Sequence, residues 1–281
     1  MILLELRNVT KEYPVRTRRP WFRSHPTLQA VKQVNLALKK GESLGLVGES
    51  GSGKSTLAKL IMNLEPVTSG EILLDGQALT KRRLKERQIY KRMQLVLQDS
   101  SASLYPNMRV GELLEEPIRN FFPEAANWEA RCRELLDLVE LDHSFLTRYP
   151  DQLSGGQKQR VCMAKALAVH PELIIFDESI ASLDQPAQAS ITRMLKRIQE
   201  TEQIAYLFIT HDLQSALQLC DRITVMYQGE LVETFIQGEV HQLRHPYSQL
   251  LFQTLDLVSS AGEQEDARQP QPVHIDVAGV R

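Results

Sequence analysis

At 281 residues the chain is long enough for a sizeable core with an appendage. It has 42% hydrophobic and 24% charged residues and a formal net charge of -2, the composition of a soluble globular protein, and near-neutral charge gives no reason to expect a nucleic-acid partner. No apolar run approaches the roughly 20 residues needed to cross a bilayer, and MILLELRNVTKEY has neither the basic start nor the apolar length of a signal peptide, so the chain is expected to start and stay in the cytoplasm.

Residues 2–7 (ILLELR) and 28–38 (LQAVKQVNLAL) alternate apolar and polar residues, the pattern of antiparallel strands with one wet face. Between them PVRTRRPWFRSHP (14–26) carries three prolines and four arginines without periodicity and reads as an exposed loop. Its arginines, with Trp21 and Phe22, could touch anionic headgroups or a membrane partner. ESLGLVG (42–48) is a short apolar run feeding a glycine turn, so a buried strand. A helix is predicted over 55–64 (STLAKLIMNL), a strand over 70–76 (GEILLDG), an amphipathic helix over 83–93 (RLKERQIYKRM) and a buried strand over 93–98 (MQLVLQ).

The character changes at 110–141, where VGELLEEPIRNFF and WEARCRELLDLVEL keep helical spacing with no strand between them. This predicts a helical subdomain, about 99–158, inserted into the rest. LSGGQ opens the next helix, 157–170, and LIIFDE (173–178) is an apolar strand ending in two acids. A helix over 187–200, a strand over 204–212 (IAYLFITHD), a short helix (LQSALQLC) and a hairpin around Gln228-Gly229 follow. From about 258 onward apolar periodicity is lost, and the segment reads as a disordered tail. Strands alternating with helices imply an α/β fold whose mostly parallel sheet is covered on both faces. Cys132, Cys162 and Cys220 lie far apart and form no Cys-x-x-Cys pair, which supports neither a zinc site nor a disulfide framework and leaves three free thiols.

Two stretches carry chemistry on their own. Gly48-Glu49-Ser50-Gly51-Ser52-Gly53-Lys54-Ser55 fits G-x-x-x-x-G-K-[ST] and lies between a predicted strand and a predicted helix, where that pattern makes a phosphate-gripping loop. Glycines let successive N–H groups point inward at phosphate oxygens, and the helix dipole adds positive potential. Lys54 is expected to reach the β- and γ-phosphates, and Ser55 to ligate Mg²⁺. Asp177 closes an apolar strand as a candidate Mg²⁺ ligand, and Glu178 follows as a candidate base for polarising water.

A second glycine-rich stretch, Leu153-Ser154-Gly155-Gly156-Gln157, also opens a helix. Together with the phosphate loop, LIIFDE and Ile209-Thr210-His211-Asp212, it resembles the ATP-binding subunit of an ABC transporter over about residues 1–235. The resemblance implies a P-loop NTPase core with an added antiparallel β part and the inserted helical subdomain. It implies ATP and Mg²⁺ as cofactors, with the ATP-binding set running from Gly48 to Ser55 and on to Thr56, and Tyr13 stacking on adenine. Two such subunits would pack head to tail, so that Ser154, the Gly155 and Gly156 amides and Gln157 serve the nucleotide held by the partner. Gln98 would sense Mg²⁺ and water, Ser182, Leu183 and Asp184 would face the opposite subunit, and His211 would contact the γ-phosphate. On this resemblance Glu178, His211 and Gln98 would form the catalytic set, and Ser55, Gln98 and Asp177 the Mg²⁺ set.

VLQDSSASLYP (96–106), QLSGGQKQRVCMAKALA (152–168), the extension after residue 235 and HPYSQLL (245–251) resemble the peptide and nickel importer branch, nickel or metal-chelate importer ATPases in particular. The chain departs from the usual pattern at Ser179, Ser182, Ser100 and Tyr105, where proline, alanine, proline and asparagine are commoner. The expected partners are membrane permease subunits, a second ATPase that is a homologous chain or another copy, and indirectly an extracytoplasmic binding protein, all at the cytoplasmic face of the membrane. A soluble assembly such as a phosphonate-degrading complex would share every catalytic residue and stays open as an alternative. A module that closes on ATP without turnover would have no use for Glu178.

Overall fold

The computed structural model describes residues 1–15, 27–79, 85–100, 102–124, 127–180 and 183–253. Most of the arginine-rich loop, Ser182 and the 258–281 tail lie outside the described residues.

The alternating N-terminal segments form an antiparallel sheet. Strand β1 (Ile2–Pro14) pairs with β2 (Thr27–Lys39), Leu4 opposite Leu38 and Tyr13 opposite Leu28, and with β4 (Ser69–Leu74). With β5 (Gln77–Ala78) at the edge the order is β2-β1-β4-β5. The second sheet has the order β10-β9-β3-β8-β7-β6. It is built from β3 (Ser43–Val47), β6 (Met93–Val96), β7 (Leu173–Asp177), β8 (Ala205–Thr210), β9 (Arg222–Tyr227) and β10 (Glu230–Ile236). Every pairing in it is parallel except that of the β9–β10 hairpin. That hairpin turns at Gln228 (φ 46°) and Gly229 (φ 87°), both left-handed, the twist a two-residue connection needs.

Buried on both faces, β3 and β8 are apolar almost throughout. Ile175, Leu207 and Ile209 face a core that holds α1 (Lys54–Ile61), Ile89 of α2 (Glu86–Arg92) and the antiparallel sheet. Ile174, Phe176, Tyr206 and Phe208 face the other core, with Phe176 and Phe208 stacked at 4.7 Å. That core takes in α3 (Val110–Phe121), α4 (Trp128–Leu138), α5 (Gly155–Leu167) and α6 (Gln185–Glu202). Helices α3, α4 and α5, with 3-10 turns at His143–Thr147 and Pro150–Gln152, fill the interval between β6 and β7, with no strand among the described residues there. Helix α7 (Leu213–Leu219) follows β8, and a helix over 246–253, α8, closes the described chain.

Several element ends differ from expectation. Strand β6 stops at Val96 rather than 98, because Leu97 and Gln98 leave the sheet into solvent. Strand β1 runs on to Pro14 because β2 is equally long and pairs with it throughout, which puts Tyr13 in a strand. Helix α5 starts at Gly155, two residues early, because Ser154 caps it. Helix α6 likewise starts at Gln185 behind the Asp184 cap, with proline in its first turn.

Candidate functional site

Register brings three strand ends to one edge. In parallel pairing Val47 lies opposite Thr210, and Asp177 opposite Ile209, so the residues after β3, β7 and β8 emerge side by side. These are the glycine loop, Asp177-Glu178 and His211, the place where open α/β sheets bind ligands.

The loop from Gly48 to Gly53 is shaped by its own chain. A Cβ on Gly48 would sit 2.2 Å from the Met226 carbonyl oxygen, and one on Gly53 would sit 2.3 Å from that of Ala30. Both are backbone atoms, so neither clash can be relieved by moving a side chain. Gly51 has open space around it but a φ of 81°, a conformation that L side chains rarely adopt. The Ser52 carbonyl accepts the Gly229 N–H at 2.9 Å, tying the loop to the β9–β10 turn. Lys54 is 4% exposed, and its ammonium donates to the carbonyls of Gly48 (2.7 Å) and Glu49 (2.8 Å), leaving one N–H for a ligand. Burial pushes its pKa down, opposed by Glu178, Asp177 and Glu49.

Ser55 Oγ donates to Asp177 Oδ1 at 3.4 Å. Burial, then the neighbouring Glu178, holds the Asp177 carboxyl above its usual range against the pull of Ser55 and Lys54. A hydroxyl and a carboxylate whose charged form lacks compensation make an all-oxygen donor pair suited to a hard cation such as Mg²⁺. Glu178 has φ 50°, uncommon for a side chain of its size, and its N–H donates to the Ile209 carbonyl at 2.8 Å. Its Oε1 lies 3.3 Å from His211 Nδ1, with the imidazole 60% exposed beside a carboxylate only 22% exposed. Gln98 is exposed just past the end of β6, the far strand of this sheet.

Tyr13 meets the site from the antiparallel sheet. Its hydroxyl donates to Glu65 at 2.5 Å and lies against the Thr56 side chain in the first turn of α1. Burial first, then Glu65, pushes its pKa up.

The second glycine loop stands apart. Ser154 caps α5, its Oγ accepting from the Gln157 N–H at 3.3 Å while its own N–H donates to Gln157 Oε1 at 2.9 Å. Nothing lies within 4 Å of a Cβ built on Gly155, and on Gly156 the nearest atom is the Ala187 Cβ at 3.7 Å, an ordinary contact. Neither residue has positive φ. Nothing among the described residues requires glycine there. Leu183 is partly buried against the helical core, and Asp184 caps α6 by accepting from the Ala187 N–H at 3.0 Å. Ser182 is outside the described residues.

The three cysteines are free and buried, with burial pushing Cys132 up to about 11, Cys162 to about 12 and Cys220 higher still. Reading residues alone assigns no role to Ala30 and Met226, which wall the loop through backbone atoms, or to Tyr247, whose hydroxyl accepts the Glu49 N–H at 2.9 Å. Only the aromatic in HPYSQLL signals the last of these.

Residues 31–181 match the ABC transporter family. The chain is 44% identical over 217 residues to the nickel import ATP-binding protein NikE of Escherichia coli, with 76% of this chain and 81% of that protein covered. It is 38% identical over 270 residues to the oligopeptide transport ATP-binding protein OppF of Lactococcus lactis, with 95% and 84% covered. A solved ATP-binding cassette, a dimer in a post-hydrolysis state bound to ADP and Pi, superposes with a TM-score of 0.71 at 31% identity, covering 84% of this chain and 99% of that one. The cbiO1 structure from Clostridium perfringens, part of an ABC transporter complex, shares the fold at TM-score 0.75 and 23% identity, covering 94% and 99%.

Proposed function

This chain belongs to the ABC transporter family as an ATP-binding, ATP-hydrolysing subunit, and from that premise we propose that it powers import of nickel, a metal chelate or small peptides through a membrane permease, on whose cytoplasmic face it sits. NikE is by name a nickel import protein and OppF an oligopeptide transport protein, which favours this over a soluble enzyme assembly. The observation that carries the reading is the convergence of Lys54, Ser55, Asp177, Glu178 and His211 at one sheet edge.

The loop from Gly48 to Ser55 cradles the ATP phosphates with the backbone N–H groups that its own fold leaves free, and Tyr13 stacks on the adenine while Thr56 borders the phosphates. Lys54, already fixed by two loop carbonyls, turns its remaining N–H to the γ-phosphate. Mg²⁺, held by Ser55 and Asp177 with Gln98, would neutralise phosphate charge when bound. Glu178 takes the proton of the attacking water, and His211, whose Nδ1 lies 3.3 Å from Glu178 Oε1, orients towards the γ-phosphate. Ser154, the open amides of Gly155 and Gly156, and Gln157 close over the nucleotide of a second ATPase subunit, a homologous chain or another copy, while the Ser182-Leu183-Asp184 loop faces that subunit. The ATPase unit covers 1–235, with the helical insert at about 99–158 and, just before it, Gln98 coupling to the permease, and 236–257 forms an extension. Hydrolysis reopens the pair and switches the permease, and an extracytoplasmic binding protein supplies the cargo, which this chain never touches.

Affinity capture of the full chain from solubilised membranes tests this. Permease subunits and an ATPase partner are expected to come with it, and ATP hydrolysis in the captured complex should depend on Glu178. Capture of soluble enzymes alone would overturn the importer reading.

A further inference from the structure

The extension after β10 is not folded away from the nucleotide site. Glu233 on β10 accepts the N–H groups of Arg244 (2.7 Å) and His245 (3.3 Å), and Phe252 of α8 packs edge-on against Phe235 at 5.3 Å, which anchors the segment. This fixes Tyr247, the second residue of α8, in a stack on Tyr227 with ring centroids 4.2 Å apart. Tyr227 ends β9, next to the turn that holds the Ser52 carbonyl. From there the Tyr247 hydroxyl reaches the Glu49 N–H at 2.9 Å.

The Glu49 N–H and the Gly48 carbonyl belong to the same planar trans peptide and point in opposite directions. The N–H is held by Tyr247, and the carbonyl accepts from Lys54 Nζ at 2.7 Å. One aromatic hydroxyl and one ammonium thus grip the two ends of a single peptide plane, and polarisation through that plane strengthens both bonds. We propose that Tyr247 is a positioning residue for the phosphate loop, holding the Gly48–Glu49 peptide, and through it Lys54, in the orientation that receives ATP. Segment 244–253 is then a working part of the nucleotide site. This rests on reading Gly48–Ser55 as the ATP site.

The hydroxyl touches no reacting atom. A loop fixed in advance binds ground state and transition state alike, so the hydroxyl acts on KM and leaves kcat alone. Tyr247→Phe in the full chain keeps the ring on Tyr227 and removes only the hydroxyl. The Kd and KM for MgATP are expected to rise by up to about tenfold, the upper bound set by loss of one neutral hydrogen bond, with kcat unchanged and Tm lowered by no more than about 4 °C. In the unsubstituted chain the Glu49 amide should exchange slowly with deuterium although Glu49 is an exposed residue, and Tyr247→Phe should speed that exchange. Fast exchange in the unsubstituted chain would overturn the proposal, and so would a variant with unaltered KM. A fall in kcat and Tm with KM constant would do the same, since it would mark a merely structural role. Lys54→Ala separates this from the site itself. Undiminished MgATP binding by Lys54→Ala sinks the phosphate-loop reading, whereas lost binding there with wild-type affinity in Tyr247→Phe sinks only the role of Tyr247.

Discussion

The two glycine-rich loops of this protein both open helices and differ in what demands the glycine. In the phosphate loop the chain's own backbone demands it, since any side chain on Gly48 or Gly53 would collide with the carbonyl of Met226 or Ala30. In the second loop (153–157), the signature loop, nothing among the described residues does, yet Gly155 and Gly156 both lie in the first turn of α5 at some cost to helix propensity. Glycine at these two positions is what the proposed approach of a second subunit's nucleotide asks for. The comparison teaches that the first loop is closed in by its own chain, while the second stands open among the described residues.

The largest effect that sharpens this contrast is on turnover. Glu178→Gln should lower ATP hydrolysis by roughly 10²–10⁴-fold while keeping ATP affinity, leaving pairs locked with the signature loop engaged, as read by sizing in MgATP. Rapid steady hydrolysis by that variant would remove Glu178 from its role. Next comes Gly53→Ala, whose Cβ must displace the β2 backbone and sit at φ 111°. It should cost roughly 2–4 kcal/mol of stability, read from the denaturation midpoint, and a neutral outcome would break the comparison from the phosphate-loop side.

Ser154→Arg should lose only about 1 kcal/mol, the worth of the N-cap, and still bind ATP as a single subunit, but no closed pair should form. A normal closed pair would break the comparison from the other side. Gly155→Ala should leave stability unchanged or raise it by at most about 1 kcal/mol while impairing hydrolysis, the opposite pairing of effects to Gly53→Ala. The smallest effect is electrostatic. Because the Asp177 carboxyl is held above its unfolded range by burial and by Glu178, its charged form destabilises the fold at neutral pH. Asp177→Asn should therefore raise the Tm of the nucleotide-free chain by about 2 °C near pH 7. The gain should vanish as pH falls through the carboxylate range, where the native side chain takes up its proton. A gain independent of pH would assign it to packing instead.

Much of the site was legible because its pieces are local. A glycine loop between an apolar run and a helix, two acids at the end of LIIF, and a histidine after FIT each declare themselves within about ten residues, and all of them meet at one edge. Element boundaries were less legible. Strand β1 runs on past Tyr13 because of its partner β2, and β6 ends at Val96 because the chain turns there towards the helical insert, neither of which is written in the segment itself. Tyr247 was the least legible of all, being 198 residues from Glu49 in the chain.

The order of residues alone settled which elements form and which chemical groups cluster within each motif, since spacing, turn residues and caps act over a few positions. Only the folded chain decided which glycines are sterically obligatory and what grips the phosphate loop from outside. Those facts depend on β9 lying beside β3 and on α8 stacking against the end of β9. Parallel strands can be ordered in many ways without altering any local pattern, so neighbours of that kind are fixed by the packing of the whole sheet rather than by any stretch of sequence.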